Sequence, residues 1–280
     1  MPPLSTNTPS ISFEFFPPKS EKSAFELLAT VQDLARHNPK FMTVTFGAGG
    51  NSQRGTLETL KNLQKAAPVP FGSHLTYISL TRRELDHYTD LLWDHGIRHL
   101  VALRGDMPQD LVWPLDQDAE YYQYTSDFVE ALLKRHPFDI SVGAYPEKHP
   151  DAPSLDADLI ALKKKCDAGA TRAITQFFFD NEVYYRFLDA ATKAGITTPI
   201  VPGLLPIHDF TKVCSFASRC HASIPSHLHE KFESPSPSLA EDLISEQVED
   251  LVKNGVPHIH FYTLNKSVPV SGICDKFNLI

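Results

Sequence analysis

Cysteine is scarce in this chain: four residues (Cys166, Cys214, Cys220 and Cys274) among 280, none in C-x-x-C spacing. That excludes a disulfide scaffold or a thiolate zinc set, and fits the reduced, packed thiols of a cytosolic protein. No apolar run of about 18 residues occurs, and no charged-then-apolar leader opens the chain. The expectation is a soluble, cytoplasmic protein with no membrane contact. Basic residues are outnumbered, 26 against 34 acidic ones for a net charge of −8, and form no stripe. Nucleic acid is therefore not an expected partner. Neither the H-E-x-x-H pair of zinc chemistry nor the G-x-S-x-G nucleophile elbow is present, so no metal set is expected.

What is present is a repeating pattern that starts at Ile11-Ser-Phe-Glu-Phe-Phe-Pro-Pro-Lys19. Ile11 to Phe16 is apolar at nearly every position, as in a strand buried on both faces, and Pro17-Pro18 ends it because proline adds no donor to a ladder. One carboxylate, Glu14, sits inside this run. Burying it costs several kcal/mol unless it is paired or protonated. It is either a strand-end acid salt-bridged to a neighbour or a proton donor in an apolar active site, with a raised pKa in the second case.

Residues 1–10 carry three prolines and small polar residues and read as a flexible arm. Behind the first strand, Ser20 begins a helix with Phe25, Leu28, Val31 and Leu34 on one face. Strands are then expected at 41–46, 69–75, 99–103, 139–144, 172–176, 199–203 and 258–261. Helices are expected between them at about 56–66, from Thr81, at 119–135, 155–168, 180–194, 210–219 and 238–254, and a short one closes the chain. Thr81-Arg-Arg-Glu84 and Ser238-Leu-Ala-Glu241 both read as capping boxes.

Eight strands, each followed by a helix, in a chain long enough for one large core, imply a single (β/α)8 TIM barrel over residues 11–280. An open doubly wound sheet would carry G-x-G-x-x-G after its first strand, where this chain has Pro-Pro. Chemistry in such a barrel lies at the C-terminal strand ends. Those ends hold Glu14; Thr45 with a glycine loop; His74; Arg104 and Asp106; Tyr145, Glu147 and His149; Gln176; and Tyr262 with Asn265. His74 alone could be a packed, hydrogen-bonded histidine, and Tyr145 could simply stack in the mouth. Together they make a polar cup suited to a large ligand. Lys163-Lys-Lys165 on one helix is ordinarily a solvated face, but it and Arg104, at a strand end beside Gly105, are two features that suit an anionic cofactor, since glycine permits close backbone approach.

In order along the chain, Phe13-Glu-Phe-Phe-Pro-Pro18, Thr45-Phe-Gly-Ala-Gly-Gly50, His74-Leu-Thr76, Ala102-Leu-Arg-Gly-Asp106, Ala144-Tyr-Pro-Glu147 with His149, Asp167-Ala-Gly-Ala170, Thr175-Gln-Phe-Phe-Phe-Asp180, Pro202-Gly203 and Phe261-Tyr-Thr-Leu-Asn265 resemble the methylenetetrahydrofolate reductases, in their bacterial, catalytic-domain-only form. The resemblance covers about residues 10 to 275. It implies an FAD-containing barrel that reduces 5,10-methylenetetrahydrofolate to 5-methyltetrahydrofolate with NADH or NADPH, by a ping-pong mechanism feeding methionine synthesis. It implies that Glu14 is the general acid toward folate N10, and that Asp106 is the aspartate beside the flavin. Thr45, His74, Arg104, Gly105, Asp106, Tyr124, Tyr145, His149, Asp158, Lys164 and Lys165 match flavin-binding positions. Gln176, Phe216 and Lys266, with Glu14, match substrate-binding ones. Relatives of this kind form homo-oligomers.

Some positions depart from the family pattern. Arg54-Gly55-Thr56 replaces an Asp-Arg-Thr, and Lys164 and Lys266 stand where arginine is common, which loses a bidentate fork. Lys212 stands where glutamine is common. Two other classes compete: a flavin barrel acting on a small amino acid, as in proline dehydrogenase, and a flavin- or folate-binding protein without turnover. Gln176, Glu14 and Asp106 weigh against both.

Overall fold

The computed structural model describes residues 8–46, 52–107, 115 and 121–280. The Gly47–Gly50 loop, most of the loop after Asp106, seven residues of the expected arm and the side chain of Arg54 lie outside that set.

Nine parallel strands form one sheet among the described residues, alternating with ten helices. The first half runs β1 (Ser10–Phe15), α1 (Glu21–Ala35), β2 (Phe41–Val44), α2 (Ser52–Ala66), β3 (Phe71–Thr76), α3 (Arg82–Asp94) and β4 (His99–Leu103). It continues with α4 (Thr125–Arg135), β5 (Asp139–Ala144), α5 (Leu155–Asp167), β6 (Arg172–Thr175) and α6 (Asn181–Lys193). The remainder is β7 (Ile200–Val201), β8 (Gly203–Leu204), α7 (Phe210–Cys220), α8 (Ser226–Glu233), α9 (Leu239–Lys253), β9 (His258–Tyr262) and α10 (Val270–Phe277).

The sheet order is β7-β6-β5-β4-β3-β2-β1-β9-β8. Since β7 pairs with β6, β8 pairs with β9, and only Pro202 separates β7 from β8, those two short strands form one interrupted stave. Counted so, the barrel has the eight staves expected. Proline breaks the ladder because it has no N–H, and its carbonyl still accepts from His260 N at 2.9 Å.

Side chains alternate along each strand. Ile11, Phe13 and Phe15 turn outward and pack with Leu27, Val31 and Leu34 of α1 in the main core. Ser12 and Glu14 turn inward. The interior has little aliphatic filling: Phe41, Ile174 and Val201 form a small cluster of their own. His99 stacks on Phe41, His258 and His260 lie tilted against it, and Arg172 lies over its ring at 4.9 Å. A barrel axis lined with histidine, serine, aspartate and arginine differs from the branched aliphatic layers usual in this architecture.

Several element boundaries correct the sequence reading. The helix expected from Ala119 starts at Thr125, and α8 was not expected at all. Thr81 makes its capping box with Glu84, but Ser238 does not: it is itself helical (φ −92°, ψ −8°) and makes no side-chain bond to a helix N–H. Its hydroxyl donates instead to Asp242 at 2.8 Å.

Candidate active site

Glu14 lies at the top of the barrel axis with 13% of its side chain exposed. It is held against β9 by Thr263, whose hydroxyl donates to the Glu14 carbonyl at 2.7 Å. His74 Nε2 approaches its Oε2 to 3.1 Å and His260 Nε2 to 3.7 Å. Burial pushes the carboxyl up, but the two imidazoles pull harder in the other direction and leave it at about 2. This corrects the expectation of a raised pKa: without a substrate above it, Glu14 is a carboxylate at neutral pH. His74 Nε2 is buried and, despite its proximity to Glu14, has no hydrogen bond of acceptable geometry among the described residues.

Three cavities adjoin across the C-terminal face. The innermost, about 280 Å³, is lined by Glu14, His74, Tyr145, Gln176, Phe216 and Tyr262 among others. Through Tyr145, Gln176 and Cys220 it meets a second, about 420 Å³, lined by Arg104, Gly105, Asp106, His149, Lys165 and Arg219. Through Arg104, His149 and Lys165 that one meets a third, about 530 Å³, between α4 and α5, where Tyr124, Asp158 and Lys164 lie. The result is one elongated trench, apolar and aromatic at the barrel axis and cationic farther out.

Each wall has a local cause. Gly105 sits at φ +92°, and a Cβ there would lie 2.7 Å from Ile78 and 2.9 Å from Thr76, so only glycine turns the chain out of β4 at this point. Arg104 is held by Asp151 at 2.7 Å. Lys165 reaches from α5 to the Gly143 carbonyl at 2.5 Å, and burial lowers its pKa while Asp158 opposes the shift. Asp158 is buried and accepts from His149 N at 2.8 Å. The His149 ring meets Tyr145 edge-on at 4.5 Å, and burial raises the Tyr145 hydroxyl to about 12. Tyr262 donates to the Thr175 carbonyl at 2.7 Å. Gln176 accepts from Phe177 N at 3.0 Å, and its amide nitrogen has no partner among the described residues.

The trench therefore gathers Glu14, His74, Arg104, Gly105, Asp106, Tyr124, Tyr145, His149, Asp158, Lys164, Lys165, Gln176 and Phe216. Thr45 and Lys266 do not line it. Thr45 closes β2, donating its N–H to Phe15 O at 2.8 Å, and Lys266 lies beyond β9 near His208. Two strand-end candidates have structural duties. Glu147 accepts from Ser223 N at 2.9 Å, and Asn265 bonds both the N–H and the carbonyl of Phe16, at 2.8 and 2.9 Å.

Asp151, Arg219 and Cys220 were missed. The last two follow Phe216 at helical spacing on α7 and share its trench-facing side, so periodicity alone reaches them. Nothing local announces Asp151; the folded loop brings it to Arg104.

A family model described as methylenetetrahydrofolate reductase matches residues 3–278. The 5,10-methylenetetrahydrofolate reductase of Salmonella typhimurium is 40% identical over 276 residues, covering 96% of this chain and 91% of the relative. That of Escherichia coli is 39% identical with the same coverage. Among solved structures, a Clostridium thermocellum protein that binds two copies of 5-methyl-5,6,7,8-tetrahydrofolic acid superposes with a TM-score of 0.64. It is 16% identical, covering 98% of this chain and 97% of its own, and so supports the fold alone.

Proposed function

The chain belongs to the methylenetetrahydrofolate reductase family, and on that premise we propose that it reduces 5,10-methylenetetrahydrofolate to 5-methyltetrahydrofolate, holding FAD in its trench and taking hydride from NADH or NADPH. The carrying observation is the trench itself: one continuous groove runs from a carboxylate on the barrel axis, past aromatic side chains, to an arginine and two lysines farther out. Its donor set fits a flat ring system joined to a diphosphate and a second ring. Arg104, Lys165 and Lys164 supply positive charge where the diphosphate would lie. Tyr145, His149 and the His74 imidazole beside Glu14 supply ring contacts and a polar group farther in.

When bound, FAD supplies the hydride chemistry; the chain binds, orients and tunes. The Gln176 amide offers a donor to the pterin ring, and Phe216 covers it from α7. Asp106 sets a negative charge at the lip of the middle cavity, which favours the cation formed when the folate methylene bridge opens. Glu14 delivers a proton to N10 to drive that opening. A pterin seated over Glu14 excludes water from a carboxylate that is already largely buried, and burial is the influence that raises its pKa. Ligand binding thus moves Glu14 from the charged state toward the acid.

On this reading nicotinamide and pterin both enter the inner cavity of about 280 Å³, the apolar and aromatic end of the trench. Nicotinamide and pterin therefore take turns, which supports ping-pong kinetics. The test is an anaerobic spectrum of the purified protein, before and after NADH and then NADPH, followed by folate. A visible flavin band that bleaches with nucleotide and returns with folate is expected, with parallel double-reciprocal lines in steady state. A colourless protein that takes up no FAD defeats the reading, and intersecting lines defeat the shared site.

A further inference from the structure

The mouth of the barrel opposite the trench carries titratable side chains that the reaction above does not use. His258 opens β9 there and keeps 7% of its surface exposed. Its Nε2 lies 2.9 Å from Ser12 Oγ, and that oxygen lies 2.7 Å from Nδ1 of His260. His260 Nε2 in turn faces Glu14 Oε2 at 3.7 Å, the longest link and the one that must shorten for transfer. The line has a simple origin. Every second residue of a strand points inward, and parallel pairing sets Ser10 beside His258, Ser12 beside His260 and Glu14 beside Tyr262.

We propose that His258 is the entry point of a proton path from the N-terminal mouth of the barrel to Glu14, running through Ser12 and His260. The proposal rests on Glu14 being the acid toward folate. Its need arises from the trench, because a pterin and a flavin filling the C-terminal face cut Glu14 off from water on that side. A carboxylate that starts charged must still receive a proton in each turnover.

The chain of groups has one direction. With a carboxylate at its end, the ordering that aims every hydrogen at the charge has His260 Nε2–H toward Glu14, Ser12 O–H donating to His260 Nδ1, and His258 Nε2–H donating to Ser12. One proton then enters at His258 Nδ1 and one arrives at Glu14. Ser12 Oγ gives up one hydrogen and gains another, each imidazole gives up its Nε2 hydrogen and gains one on Nδ1, and no electrons move.

The groups facing His258 are Ser12 on β1, Lys40 and the Phe41 ring at the start of β2, Asp139 on β5, Arg172 on β6 and His260 on β9. Burial, then the charges of His260, Arg172 and Lys40, lower its pKa to about 3, against Asp139. Burial likewise lowers His260, against Glu14. Both rings are neutral at pH 7, so each offers a donor on one nitrogen and an acceptor on the other, as a relay requires.

Two measurements test this. In the purified protein labelled with nitrogen-15 histidine, ring shifts should show His258 and His260 both protonated at Nε2 and bare at Nδ1. A proton on Nδ1 of either ring runs the line the wrong way and overturns the proposal. In the second measurement, His258→Gln keeps an N–H toward Ser12 but has no second nitrogen to load, so a purely structural role survives it. Rapid mixing of reduced enzyme with folate should be about tenfold slower, a part of what an acid typically contributes, with a larger solvent deuterium effect. An unchanged rate and isotope effect in His258→Gln, alongside a slow Glu14→Gln, overturns the path alone. If Glu14→Gln itself leaves the folate half-reaction intact, the acid assignment falls, and the path with it.

Discussion

At the scale of single residues, the Glu14 carboxyl experiences two opposed influences: loss of water, and two imidazoles within 3.1 and 3.7 Å. The imidazoles win in the unliganded protein, and the pKa falls from 4.5 to about 2. A carboxyl whose folded pKa lies below its unfolded one stabilises the fold above the unfolded value, and this stability is lost as pH falls toward the folded value. The window here is pH 4.5 to about 2. Glu14→Gln should therefore flatten the loss of stability through that window, read as urea midpoints against pH; an identical acid limb would show that the histidines do not hold the charge. Stopped flow separates the roles of the two acids. Glu14→Gln should slow the folate half-reaction by about 10²–10⁴-fold, as loss of a general acid does. Asp106→Asn removes a negative charge at the trench lip. It should make flavin reduction by NAD(P)H easier while slowing the folate step. Equal slowing of both halves in Glu14→Gln would end its assignment as the acid.

At the scale of elements, caps and close packing set the positions that the site uses. Thr81 and Glu84 satisfy each other's backbone at the start of α3. Thr81→Ala should cost about 1 kcal/mol in urea denaturation, the usual loss of an N-cap. Ser238→Ala should change stability by less than about 0.5 kcal/mol, since the bonds lost, to Asp242 and Ser236, are both exposed. Equal costs at the two positions would contradict the observed caps. The break at Pro202 leads into Gly203, where a Cβ would lie 2.3 Å from the Thr175 carbonyl and 2.6 Å from the Tyr262 ring. Gly203→Ala should cost about 1–3 kcal/mol by overpacking, and should displace Tyr262 from the inner cavity. The helix α8 has one buried side chain, Leu228, and its Phe232 ring stacks on Phe210 at 4.3 Å. Its local pattern is weak, and a partner distant in sequence decides it.

At the scale of the whole molecule, a ligand lying along the trench touches the ends of β1, β3, β4, β5 and β6 and the helices α4, α5 and α7. Such a ligand ties together parts of the barrel that are far apart in sequence. FAD at a hundred times its Kd should stabilise the fold by about 2.7 kcal/mol, seen as a rise in melting temperature with added flavin. Lys165, half-buried and fixed on Gly143, should matter more to that affinity than the exposed Lys164. Lys165→Met should weaken FAD by about tenfold or more, near 1.4 kcal/mol, and Lys164→Met by less. Flavin fluorescence titration checks the order, and the reverse order would move the diphosphate outward along α5.

The eight-fold alternation was written in the sequence, because strands covered on both faces must be apolar and helices must show one buried stripe. The strand-end candidates that line the trench, among them Glu14, His74, Arg104, Tyr145 and Gln176, were legible too, since strand ends are where a parallel barrel turns its polar groups to solvent; Tyr124 and Phe216, at or on helices, were reached only through the family resemblance. Helix α8, the late start of α4 and the failure of the Ser238 cap needed the fold, because each depends on neighbours rather than on local preference. So did the charge on Glu14. Its neighbours in sequence are apolar and argue for a raised pKa, while the imidazoles that decide the matter stand on β3 and β9. The same holds for the inward line of His258, Ser12 and His260: residues 246 to 248 positions apart meet only because β1 and β9 close the barrel in register. Alternation along a strand is local and legible in the chain; which strand comes to lie beside it is long-range, and only closure of the sheet decides that.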